Sequence, residues 1–473
     1  MSSSSSRGLT APRLAVIFCL ILAIFIFRDS WLPEVKEHAN SVVYTSSPLS
    51  LTDDTRPTGI VQRKKPSEDC RNAPGADNVM VVIKTGATEL YEKLPTHFVT
   101  LLKCTPHVLI YSDLAQTFAD TPILDAIAPV STQFKEHHPD FELYRKLQAY
   151  QQSGQDMSLL KGDGGWNLDK WKFLPMMHEA FAKAPEQINW FVYMEADTSV
   201  SWTNLLQWLN SLNPKKTYYM GSQNAIAGSF FAHGGSGYVV SRAAAEQLAS
   251  RRETEGPAAY DDRWEDITSS ACCGDEIVAR ALREVGVGLT GAWPLIQGET
   301  VSTIDWTKKH WCAVAVTHHH VTPLEIDALW QFQMDWVDAH GWAKPYLHSD
   351  LFEHFISRHV SVTRQNWNNI SKDKKIVLPS LAGPKDVDFT TLEPFEQKAV
   401  ESQEACEAVC RQLPAEQCIQ WMFAPGRCYL GKVVRFGKSD ERESEHWVSG
   451  WLGERVEEYR ESFEGCRTIK WIS

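Results

Sequence analysis

Four short stretches hold the residues that can do chemistry. Trp190-Phe-Val-Tyr-Met-Glu195-Ala196-Asp197-Thr198 has the pattern of a buried strand that ends in two carboxylates spaced i, i+2. Ligands of open α/β sheets collect at the carboxyl ends of strands. A carboxylate pair there suits a hard divalent cation, which prefers oxygen ligands and can neutralise a departing diphosphate. Taken alone, the pair is weak evidence and reads more readily as two solvated loop acids. Further on, Phe230-Phe-Ala-His-Gly234-Gly235-Ser236-Gly237-Tyr238 offers glycines that allow positive φ or close backbone approach to a ligand. Ala271-Cys272-Cys273-Gly274-Asp275-Glu276 opens a helix with two acids in its first turn, where the helix dipole favours negative charge. Finally, Trp311-Cys312-Ala-Val-Ala-Val-Thr317-His318-His319-His320 brings three imidazoles to a strand end. Alternation along a strand sets His319 opposite His318 and His320, so at most one or two of them share a site.

These stretches need a scaffold, and the intervening sequence supplies one. Residues 79–83, 108–111 and 190–194 are short apolar runs of the kind that form buried strands. Residues 172–184 have helical spacing, with Phe173, Met176, Met177 and Phe181 on one side. Residues 205–212 form a second helix, with Ser201 or Thr203 as N-cap. Strand–helix alternation predicts an α/β domain with a mostly parallel sheet. The chain is 473 residues long, 43% hydrophobic and 22% charged, which excludes wholesale disorder and suggests two to three domains. Its net charge of −12 speaks against a nucleic-acid partner.

Residues 14–27 are an uncharged apolar run between Arg13 and Arg28. This is short for a spanning helix, which needs about 17–25 residues, but Pro12, Trp31 and Leu32 can extend it. The expectation is a cytoplasmic tail (1–13), a single-pass type II signal anchor (14–32) and a stem (33–75), with a cleaved signal peptide as the alternative. Either topology puts the body in the lumen of the secretory pathway, where disulfides persist. Cys19 lies in the apolar run, and the other cysteines fall in the body. Asn369-Ile370-Ser371 is an N-glycosylation sequon. His178-Glu179 begins like a zinc-protease motif, but Ala182 stands where its second histidine belongs.

The order of the four stretches resembles the family 31 glycosyltransferases, the Fringe and core 1 β1,3-galactosyltransferase group, over residues 78–340. The resemblance implies a GT-A fold at 76–350, a UDP-sugar donor, a divalent cation (usually Mn2+) and inverting β1,3 transfer of a hexose or N-acetylhexosamine to a glycan or glycoprotein. By position, Asp197 and His319 would bind the metal, Glu195 would face the nucleotide, and Asp275 would be the base, with Glu276 as the fallback. Gly234, Gly235, Ser236, Gly237 and Tyr238 would line the substrate, and Lys172 could touch a donor phosphate. Trp202 and Trp264 are further candidates for stacking on sugar. Ala196 departs from the acid that Fringe proteins carry between the two outer carboxylates. By the same likeness Cys312 would bridge to Cys272 or Cys273, and Cys70–Cys104 is a further bridge, which leaves Cys466 and one vicinal cysteine unassigned.

Residues 395–473, after a linker at 351–394, resemble a small disulfide-rich α+β PAN/apple module with a helix at 402–413. That likeness implies nested bridges Cys406–Cys428 and Cys410–Cys418 and a protein or carbohydrate ligand. The function expected is a membrane-anchored glycosyltransferase. The alternatives are a catalytically inactive protein of the same fold that binds through its C-terminal module, and a metal-dependent hydrolase.

Overall fold

The computed structural model describes residues 68–473, except 163, 227, 361–362, 441–445, 464, 467–468, 470 and 473. The expected tail, anchor and most of the stem lie outside the described residues. Among those described, no helix is long and apolar enough to cross a membrane.

Strand β1 (Val79–Lys84) is buried at every position, as its unbroken apolar sequence requires of a strand covered on both faces. Parallel partners flank it, β2 (His107–Ser112) on one side and a long-range neighbour on the other. The remaining strands of the sheet are β3 (Gln116–Phe118), β4 (Thr121–Asp125), β5 (Trp190–Glu195), β6 (Tyr219–Gly221), β7 (Tyr238–Ser241) and β8 (Leu289–Gly291). Their order is β8-β6-β7-β5-β1-β2-β4-β3. Most pairings are parallel, but β7 runs antiparallel to both β5 and β6, and β3 to β4.

Side chains of β1 alternate between two cores. Val79, Val81 and Ile83 pack with helix α2 (Trp202–Asn210), while Met80 and Val82 pack with α1 (Phe173–Lys183). Helices α3 (Arg242–Glu255), α4 (Pro257–Ser270) and α5 (Gly274–Glu284) complete the second layer. Ser201 caps α2, its side chain accepting from Asn204 N at 3.3 Å.

A second sheet is antiparallel, in the order β9-β13-β11-β12-β10, built from β9 (Arg364–Gln365), β10 (Lys374–Val377), β11 (Gln420–Ala424), β12 (Arg427–Gly431) and β13 (Val448–Trp451). Residues expected as linker thus supply two of its strands, because β10 completes the pairing of β12 and β9 that of β13. Helix α6 (Gln403–Gln412) covers this sheet and carries Cys406 and Cys410, bonded to Cys428 and Cys418. The C-terminal sheet is tied to the segment that leads to the histidines. Arg435 is 2% exposed and held by Asp305 and Asp373, Val434 bridges Trp306, and Cys466 bonds Cys312.

Two expectations fail in this part of the molecule. Cys312 does not reach the vicinal pair, since Cys272 and Cys273 bond each other and Cys312 takes the C-terminal cysteine. Asn369 is fully buried. Its amide donates to Trp421 O at 3.0 Å and accepts from the Ser371 hydroxyl at 2.7 Å, so the folded protein offers no acceptor for a glycan. Cys70 and Cys104 are bonded.

Candidate active site

β1 and β5 end side by side in register, Lys84 beside Glu195. A lysine closing an otherwise apolar strand must find counter-charges, and it lies 3.0 Å from Glu195 and 2.5 Å from Asp169. Burial opposes its charge, but the two acids outweigh this and raise its pKa. Beyond β5 the chain turns at Ala196-Asp197-Thr198. Thr198 fixes the turn, its amide donating to Glu195 O and its hydroxyl to Gly235 O at 2.7 Å.

Asp197 is the sharpest feature. Its Oδ2 accepts from Lys93 at 3.0 Å, while its buried Oδ1 has no hydrogen-bond partner. Nε2 of His319 stands 3.4 Å from that oxygen. Nδ1 of His319 is also buried without a partner. Burial works against the Asp197 charge, yet His319 and Lys93 overcome it and hold the carboxyl well below its usual range.

His320 joins these two, contrary to the alternation expected along the strand. The short strand Thr317–His318 stops two residues earlier, and His320 takes a left-handed φ of 59°. That turn folds its ring against His319, with centroids 3.8 Å apart. One ligand atom from each of Asp197, His319 and His320 lies within 4.8 Å of the others. A carboxylate and two imidazoles, with an orphaned oxygen among them, fit a first-row divalent cation. His318 faces away, buried beside His348.

The glycine turn has a steric reason. A Cβ on Gly235 would stand 2.2 Å from His319, so only glycine lets the imidazole lie there, and Gly237 has a φ of 82°. Gly234 N donates to Oδ2 of Asp275 at 2.9 Å, and Glu276 N donates to Oδ1. The turn therefore joins Asp275 on one side to His319 on the other. Burial pushes the Asp275 carboxyl up to about 6, against the pull of those two amides and Lys84. Glu276 points toward Arg280, 3.8 Å away.

Residues 75–291 match the family described as Fringe-like. This part of the chain is a Fringe-like glycosyltransferase domain. No curated protein matches the chain. In the Fringe-like domain the match spans β1 to β8 and includes Glu195, Asp197, the glycine turn and Asp275; the histidines lie beyond it.

Some expected residues of the domain are placed otherwise. Lys172 is 2% exposed and lies 3.1 Å from Asp113 and 3.3 Å from Asp169, so its charge is spent beneath the site and not offered to a phosphate. Tyr238 stacks on Tyr193 inside the core, and Ser236 is sealed against His233. Trp202 and Trp264 are also core residues. Ala196 is 2% exposed in the apolar core, on the opposite side of the strand end from its neighbours. Sequence reasoning missed Lys84, Lys93, Thr198 and His320. The lone lysine closing VMVVIK and the threonine after Asp197 were legible signals; the rotation at His320 was not.

Proposed function

We propose that the Fringe-like domain transfers a hexose or N-acetylhexosamine from a UDP-sugar to a glycan or glycoprotein hydroxyl, inverting the anomeric carbon to give a β1,3 linkage. The unpartnered Oδ1 of Asp197 beside His319 and His320 carries this reading. Those three residues would hold a divalent cation such as Mn2+, which when bound neutralises the charge of the leaving diphosphate. Glu195, held by Lys84, faces the nucleotide side of the same edge.

Asp275 accepts the proton of the acceptor hydroxyl while that oxygen bonds to the anomeric carbon. The bond from that carbon to the diphosphate oxygen breaks, and UDP leaves with the electron pair. With a pKa pushed up to about 6, Asp275 is a competent base near neutral pH. Gly234 N–H fixes its carboxylate. The core position of Ala196 supports an active enzyme, since its missing carboxylate vacates no place on the cation's side. The C-terminal sheet would act as a PAN/apple-like module for a protein or carbohydrate ligand, and the anchor would keep the protein in the Golgi membrane.

A UDP-sugar panel assayed for UDP release with Mn2+, alone and then with candidate acceptors, tests the transfer. Release that rises with acceptor and is lost with chelator is expected. Release from no donor under any of these conditions overturns it.

A further inference from the structure

His233 lies at the transfer site, and the proposed transfer makes no use of it. It links the short strand Ser229–Ala232 to the glycine turn, one residue before Gly234, whose N–H holds Asp275. Its imidazole packs edge to face against His319, with ring centroids 5.4 Å apart. The ionisable groups that act on it most are His319, Glu195, His320 and Lys84, all of the same edge. His233 therefore sits between the proposed base and the proposed metal ligands.

Hydrogen bonds within the turn decide what this side chain offers. The backbone N–H of Ser236 donates to Nδ1 of His233 at 3.3 Å, and the Ser236 hydroxyl lies 2.8 Å from the same atom. A backbone N–H can only donate, so Nδ1 is the lone-pair nitrogen and the proton of the neutral ring is on Nε2. Nε2 has no hydrogen-bond partner among the described residues. Unlike Oδ1 of Asp197 and Nδ1 of His319, it is not closed off, because the half-buried ring leaves this nitrogen open. The backbone is fixed as well, the His233 amide donating to Ser222 O at 2.8 Å. What results is an uncharged N–H donor, preset by the turn and without a partner. The substrates divide along this edge. Asp197, His319 and His320 would hold the cation and with it the diphosphate, while Asp275 would take the proton of the acceptor hydroxyl. The transferred ring has to lie between them, since its anomeric carbon exchanges one oxygen for the other. An open N–H there meets the hydroxyl oxygens of that ring.

We infer that His233 is a specificity-determining residue, its Nε2–H donating to one hydroxyl oxygen of the transferred sugar. This role rests on the reading of the edge as a sugar-transfer site. Steady-state transfer by the full chain, with the UDP-sugar it uses best and the monodeoxy forms of that donor, tests it. His233→Ala should lower kcat/KM for the parent donor about tenfold or more, since a sugar oxygen loses its partner. Calorimetry should show UDP binding with Mn2+ unchanged in the same variant. With one monodeoxy donor, wild type and variant should be equally fast, because the missing hydroxyl and the missing N–H belong to one contact. His233→Gln, which returns an N–H at similar reach, should recover most of the loss. His233→Met keeps the bulk without the donor and takes the place of alanine should that variant unfold. Full activity of His233→Ala, or an equal loss with every monodeoxy donor, overturns this role alone. Weaker UDP binding by a folded variant moves the contact to the diphosphate and also overturns it. A wild type that releases UDP from no donor overturns the transfer reading, and this role with it.

Discussion

Two clusters of charge in this molecule are built on opposite rules. At the C-terminal sheet, Arg435 is saturated: its guanidinium bonds Asp305 and Asp373, its amide donates to Gln420, and its carbonyl accepts from Trp451. At the end of β5 the groups are left short. Asp197 keeps one buried oxygen unpartnered, His319 keeps one nitrogen unpartnered, and Asp275 is held partly protonated by burial. Buried polar groups that only support a fold are satisfied, because each unmet one costs about 1–3 kcal/mol. Groups that await a ligand keep spare bonding capacity, and the surrounding fold offsets the cost.

Substitutions separate the two rules. Asp197→Ala should cut transfer about a thousandfold or more, since several kcal/mol of charge stabilisation are at stake. Calorimetry should show Mn2+-dependent UDP binding lost with it. Its melting temperature should fall as well, because His319 and Lys93 hold the Asp197 carboxyl well below its usual range in the folded chain and that stabilisation is lost with it.

Asp275→Asn should lower turnover by about 10²–10⁴-fold and leave UDP binding intact. Wild-type activity should rise with pH through about 6 as the base ionises. Stability should move the other way. A carboxyl whose folded pKa is raised holds its proton longer than the unfolded chain does. The contribution of Asp275 to native stability is therefore fully present below the unfolded value of about 3.9 and is lost as pH climbs through about 6. The asparagine variant escapes this fall, so its unfolding free energy should gain on wild type across that window, by at most about 3 kcal/mol. A gain that shrinks as pH rises would show that Asp275 is not held near neutral.

Cys466→Ser should lower stability by about 2–5 kcal/mol, since the bridge to Cys312 closes a long loop. A non-reducing digest of the wild type should contain the 312–466 linkage and none from Cys312 to the vicinal pair. The smallest effect is expected at Arg435→Met, about 1–3 kcal/mol in denaturant titration, because Asp305 is 40% exposed and can rehydrate. Activity per folded molecule should stay near wild type in that variant, which isolates structural charge from catalytic charge.

Sequence alone determined the scaffold and most of the site's roster. Unbroken apolar runs fixed β1, β2 and β5, because a strand covered on both faces has to be apolar throughout. The acids after β5, the glycines before β7 and the acid opening α5 were legible for the same local reason: each sits where a strand or helix ends. Tertiary structure decided what those residues face. Lys172 looked available for a phosphate, yet Asp113 and Asp169, distant in sequence, enclose it. His320 joined His319 only because the chain turns left-handed there. Cys312 took Cys466, and residues 364–365 and 374–377 became strands, because the C-terminal sheet docks on the segment before the histidines. Partners far apart in sequence leave no periodic trace, so which side chain neutralises, covers or bonds another is settled only when the chain has packed.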